Sequence, residues 1–273
     1  MRKIIFILLF SVFLSTSLII ALLLSSGGRN LDRKKFNTGN NLYLKGNYDE
    51  AIQIYENLAI QNQTHSGLYF NLGNAYYKKG DTGRALVNYK RALRLDPRDP
   101  DIRRNIRIIQ IEKNNSVIEP DSLRGPGHIL ADLTDNFFSI NETSIITLGL
   151  WFLIIGLIML FRMSEYQKIR VVISALLIIF TILFFITGLS LGSRIVTEIK
   201  NPSAVVTAEE IPLKSQPDNA YKTEYSLKNG SEVFFIETQG EWVKLSTTNN
   251  AYKGWVPATS IERISNIIPP LGL

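Results

Sequence analysis

Asn40, Asn71 and Asn74 are the side chains whose type and spacing point to recognition chemistry. An amide offers two N–H donors and a carbonyl acceptor, so it can pair with the backbone of an extended peptide. Asn40 and Asn74 lie 34 residues apart, and Asn71 falls beside them on the same predicted wall. At that spacing packing alone does not call for an amide. Arg33, Phe36, Tyr43, Phe70, Tyr77 and Arg104 join them in a candidate partner-binding set. The aromatic rings among them serve equally well as packing. Trp242 and Trp255 form a second, separate set. Acid–base and metal chemistry find little support. The two histidines, His65 and His128, lack metal-ligand spacing, and no HExxH, GxSxG or phosphate-cradling glycine loop occurs. There is no cysteine, hence no disulfide and no thiolate metal site. Asp132 and Asp135 could pair, but acids beside an apolar run more often set topology. His65 falls where a helix should begin and reads as its cap. These features predict a protein with no catalytic residues, no metal and no cofactor.

The elements that position the asparagines follow from an internal repeat. Phe36 to Asn47, FNTGNNLYLKGN, matches Phe70 to Asp81, FNLGNAYYKKGD, with Ala51/Ala85 and Tyr55/Tyr89 continuing in phase. The offset is 34 throughout. Gly39 and Gly73, with the small Ala51 and Ala85, let two antiparallel helices approach closely. Lys45-Gly46-Asn47 and Lys79-Gly80-Asp81 each place a glycine at a helix end. Asp96-Pro97 stops the second pair. Asp101 to Lys113 continues with Ile102, Ile106 and Ile109 at helical spacing and reads as a capping helix.

This pattern resembles tetratricopeptide (TPR) repeats over residues 30–113. The second copy is the fuller match, with Tyr69, Leu72, Gly73, Tyr76, Ala85, Tyr89, Ala92 and Pro97 in place. Lys35, Thr38 and Gln63 depart from it in the first copy. The resemblance implies a concave groove lined by the first helix of each pair. It also places Asn40 and Asn71 at the two asparagines of a clamp that holds peptide C-termini in some members. Phe36 and Asp101 stand where that clamp has lysines, which argues against carboxylate capture.

Residues 143–193 predict a membrane hairpin. Thr143 to Phe161 and Val171 to Gly192 are apolar runs without charge or proline. Each matches the roughly 20 residues that a helix needs to cross a bilayer core. The intervening Arg162 to Arg170 holds Arg162, Lys168 and Arg170 against Glu165, while Asp132, Asp135 and Glu142 precede the first run. Short basic loops stay in the cytoplasm. The flanking modules are therefore expected on the periplasmic or exterior side. Residues 1–28 begin Met1-Arg2-Lys3 and continue with an apolar run from Ile4 to Leu24, a signal peptide or an N-terminal anchor.

Residues 114–142 read as a linker broken by Pro120 and Pro126, then an interfacial amphipathic segment from His128 to Ile140. That segment could equally pack on the repeats. Residues 200–264 change to short alternating runs parted by Lys228-Asn229-Gly230, Gln239-Gly240 and Asn249-Asn250, which predicts a small all-β barrel. Leu227, Gly230, Val233, Trp242, Val243, Gly254, Trp255, Val256 and Ile261 resemble a bacterial SH3 (SH3b) domain. Such domains bind peptides or cell-wall peptides on aromatic grooves, although both tryptophans could be barrel core.

The fold class expected is thus a multi-domain membrane protein: an all-α TPR array, a two-helix transmembrane hairpin and a small all-β SH3-like barrel. The 273 residues carry a formal charge of +6, placed unevenly. Residues 29–119 hold 16 Lys+Arg against 10 Asp+Glu, and residues 200–264 hold 7 against 8. The basic half is a set of solvated helix faces, or a surface for an acidic partner or anionic lipid; nucleic acid does not suit an exported module. The whole arrangement resembles the TPR/SH3 membrane proteins of bacterial aerotolerance (Bat) operons, the BatE type. That resemblance implies a non-enzymatic scaffold in the bacterial cytoplasmic membrane. It implies as partners the von Willebrand A-domain proteins of such an operon, with a link to a MoxR-type ATPase. The alternative is an envelope module that binds peptidoglycan through its SH3b domain.

Overall fold

A computed structural model describes residues 32–61, 65–112, 137–218, 223–248 and 250–265. The expected signal or anchor, the linker and most of the interfacial segment lie outside these residues. The chain divides into two compact units, residues 1–29 with 126–194 and residues 30–125 with 195–273.

The second unit begins with helix pairs α1 (Arg33–Leu44) with α2 (Tyr48–Gln61), and α3 (Ser66–Lys79) with α4 (Thr82–Leu95). Helix α5 (Pro100–Glu112) follows. Side chains of Asp32, His65 and Asp81 accept from backbone N–H groups three residues on and so cap α1, α3 and α4. Gly80 ends α3 at φ +89°, where any side chain would strain the backbone. The helices close on Tyr55 and Leu58 of α2, Leu68 and Leu72 of α3, Leu86 and Tyr89 of α4, and Ile102, Ile106 and Ile109 of α5. The glycines have a sharper role than general helix approach. A Cβ on Gly39 would lie 2.7 Å from the Tyr55 ring, and one on Gly73 would lie 2.7 Å from the Tyr89 ring. Each glycine makes room for the buried tyrosine of its partner helix.

The same unit ends in an antiparallel seven-stranded sheet. The strands are β1 (Ser203–Val206), β2 (Glu210–Lys214), β3 (Thr223–Lys228), β4 (Glu232–Gln239), β5 (Trp242–Thr247), β6 (Lys253–Pro257) and β7 (Ile261–Arg263), in the order β3-β2-β6-β5-β4-β1-β7. Gly230, Gly240 and Asn250 take positive φ at the three expected turns. Ala204, Val206, Ile211, Leu213, Leu227, Val233, Phe235, Val243, Leu245 and Val256 fill the sheet's interior. Val205 and Ile264 point away from it and join the helical core.

The described part of the first unit is α6 (Ile140–Met163) and α7, which runs Gln167–Lys200 and whose last turns belong to the second unit. Ser139 and Glu142 form a reciprocal capping box at the start of α6. The expected nine-residue connection is shorter: Arg162, Lys168 and Arg170 are helical, and only 164–166 lie between. Arg162 suits the last turn of α6 because a cation there complements the helix dipole. Arg194 donates to the carbonyl of Phe138 at 3.0 Å and to Thr143 Oγ1 at 3.2 Å, which sets α7 antiparallel to α6. Both helices are long and apolar enough to cross a membrane, and only 6% of each apolar window is buried. The core helix of a soluble domain would be mostly covered.

Candidate partner-binding groove

Asn40, Tyr43, Leu44, Tyr55, Asn71 and Asn74 line one pocket of about 180 Å³. Four of the nine groove residues expected from sequence meet there: Asn40, Tyr43, Asn71 and Asn74. Phe36 and Phe70 lean on the tyrosine cores instead, 5.9 Å from the Tyr55 and Tyr89 rings respectively. Tyr77 donates its hydroxyl to Glu112 at 2.7 Å. Arg33 and Arg104 are exposed and do not line the pocket.

The asparagines are tied by a hydrogen-bond set that repeats with the sequence. Asn40 Oδ1 accepts from the Tyr55 hydroxyl at 2.7 Å and from Asn71 Nδ2 at 2.9 Å. One repeat on, Asn74 Oδ1 accepts from the Tyr89 hydroxyl at 2.7 Å and from Asn105 Nδ2 at 3.0 Å. The expectation that packing needs no amide here is corrected by this set. The carbonyl end of each asparagine holds a buried tyrosine and the next first helix. Among the described residues, Nδ2 of Asn40 and of Asn74 has no partner. The pair therefore retains donors but no free acceptor, which suits a ligand that presents carbonyl oxygens. Burial, then the neighbouring Tyr43, pushes the Tyr55 phenol up to about 12. Burial raises Tyr89 further still. Both tyrosines thus stay protonated donors at neutral pH. Tyr43 is raised too, by burial and by Tyr48.

Asn105 was legible in the sequence and missed: it stands 34 residues after Asn71, which stands 34 after Asn37. Leu44 carries no such signal, because its phase partner is Lys78. His65 caps α3 as expected, Nδ1 accepting from the Leu68 N–H at 3.1 Å. Among the described residues, no three His, Asp or Glu side chains gather as metal ligands.

On the barrel, Val243 and Leu245 of β5 and Val256 of β6 face inward. Strand alternation places Trp242 and Trp255 on the other face. Trp255 is nonetheless buried, with Lys244 Nζ 5.5 Å from its ring centroid, and Trp242 is partly exposed. A second aromatic feature is Tyr225 stacked on Tyr252 at 4.3 Å, both exposed.

Comparison with known proteins agrees with this architecture. Residues 73–106 match the TPR repeat model, and residues 209–262 match the bacterial SH3 domain model. The chain thus combines a TPR repeat, an SH3-type domain and two long apolar helices. No curated protein matches it in sequence. Among the solved structures that resemble it, two at 14% identity are of the Yersinia enterocolitica type III secretion chaperone SycD. The first, the translocator chaperone, covers 53% of this chain and 86% of its own at a TM-score of 0.29. The second, in complex with a peptide of the translocator YopD, covers 57% and 97% at 0.31. Scores this low carry no argument about this chain.

Proposed function

We propose that the protein is a non-enzymatic, membrane-anchored interaction scaffold whose TPR groove takes an extended segment of a partner protein. The observation that carries this reading is the pocket of Asn40, Tyr43, Leu44, Tyr55, Asn71 and Asn74. Its amide donors suit backbone carbonyls, and its rings and Leu44 suit an apolar side chain. The α6–α7 hairpin spans the bacterial cytoplasmic membrane with Arg162, Lys168 and Arg170, at the helix ends beside its turn, inside, so the TPR and SH3b modules face outward. The partners are envelope proteins of a Bat-type complex, von Willebrand A-domain proteins among them, linked to a MoxR-type ATPase. Leu44 tests this cleanly, because it lines the pocket yet is 80% exposed and bears no core load. Leu44→Glu should abolish partner co-purification from solubilised membranes and leave helical content intact. Undiminished co-purification would remove the groove from the account.

Peptidoglycan binding by the SH3b domain is the second reading. The exposed Tyr225–Tyr252 stack favours it, as a flat apolar platform suited to sugar or stem-peptide contact. Retention of the full chain on purified sacculi, lost with Tyr225→Ala, would support it over the groove.

A further inference from the structure

The SH3b barrel packs against α4 through β1 and β7 and reaches α5 at Gln110, and we propose that it serves here as the array's C-terminal cap. Helix α5 has the phase of a first helix, since Asn105 makes to Asn74 the bond that Asn71 makes to Asn40. An array of repeats exposes its core at each end unless something closes it. Val205 and Ile264 of the barrel enter that core.

The polar contacts show the substitution position by position. In the first repeat, Glu56 of α2 accepts from the Tyr76 hydroxyl of the next first helix. The residues 34 further on are Lys90 and Gln110, and between them stands Glu232 of the barrel. Glu232 pairs with Lys90 and accepts from Gln110 Nε2 at 3.3 Å. Arg91 donates to Glu262 at 2.6 Å and to the carbonyls of Arg263 at 2.6 Å and Ile264 at 3.3 Å. Arg94 pairs at 2.5 Å with Glu198, which stands in the last turn of α7 just before the barrel. The counterparts of these three cations in α2 are Glu56, Asn57 and Ile60, and none is basic.

The N-terminus of α4 is closed in the same way. Asn229, in the β3–β4 turn, accepts at Oδ1 from the Gly83 N–H at 2.7 Å and the Thr82 hydroxyl at 2.8 Å. Its Nδ2 donates to the Thr207 carbonyl at 2.8 Å. It thereby satisfies an N–H that a helix start leaves without an intrahelical partner. A Cβ on Gly83 would lie 2.6 Å from the Val206 carbonyl oxygen. The counterpart in the first repeat, which meets no barrel, is the exposed Asp49.

The proposal does not depend on what the groove binds. It is tested by amide hydrogen exchange on the full-length chain in detergent. Glu232→Lys places like charges across its contact with Lys90. Exchange in α4 and α5 should accelerate by roughly tenfold or more, while β5 and β6 keep their protection. Adding Lys90→Glu restores opposite charges and should bring the protection back. Unchanged exchange in α4 and α5, or a failure of the charge swap to restore it, would overturn the cap.

Discussion

Asn40 and Tyr55 depend on each other, and the dependence can be measured. Asn40→Ala leaves the buried Tyr55 hydroxyl without its acceptor, at a cost of about 1–3 kcal/mol. Adding Tyr55→Phe removes the orphan, so the double variant should be more stable than the two losses added together predict. Thermal melts of the four proteins, followed by circular dichroism, give the coupling; strict additivity would deny the bond its role. His65 gives a pH signature. Partial burial of its ring lowers its pKa from the ordinary 6.5, against a smaller raising by a backbone hydrogen bond. Only the neutral ring can accept at Nδ1. With the folded pKa below the unfolded one, the cap contributes fully above the unfolded value. The contribution is lost as pH falls towards the lower folded value. His65→Asn keeps a capping acceptor without titration and should flatten the stability change between about pH 7 and 5; an unchanged slope would assign the pH dependence elsewhere. At this scale the sequence was only half legible. The 34-residue period marks Asn40, Asn74 and, properly followed, Asn105. It does not reveal that their carbonyls face inward to tyrosines.

The repeat helices illustrate what patterning decides at the level of elements. The glycine ends at Gly46 and Gly80 and the stop at Asp96-Pro97 fall where α1, α3 and α4 end, and the stretch from Asp101 to Lys113 is α5 shifted by one residue. Gly73→Ala tests the packing reading: its Cβ meets the Tyr89 ring, so the variant should lose about 1–3 kcal/mol. Urea titration of helical signal would check this, and a neutral result would mean the ring can shift freely. Strand β2 carries Pro212, and proline cannot donate to a ladder. The strand tolerates it because β2 pairs with β6 only at Lys214↔Trp255. The end of α7 escaped the sequence reading. Its apolar run stops at Gly192, but nothing breaks the helix before Asn201-Pro202, and it continues to Lys200.

Across the whole molecule, sequence order revealed the modules but not the docking of barrel on array. Lys90, Arg91 and Arg94 read as a solvated basic face, and their acidic partners lie more than a hundred residues away. The proposed topology rests on Arg162, Lys168 and Arg170, at the helix ends that flank the hairpin turn. Reporter fusions after Gln110, Tyr166 and Pro270 should read outside, inside and outside; a cytoplasmic signal at Gln110 would remove the extracytoplasmic scaffold. The central claim is that the TPR groove holds a partner protein. Its most direct test is quantitative co-purification from solubilised membranes with wild type, Leu44→Glu and Tyr225→Ala. The account predicts von Willebrand A-domain proteins with wild type and Tyr225→Ala, and their loss with Leu44→Glu at unchanged helical content. Equal recovery with wild type and a folded Leu44→Glu would contradict it.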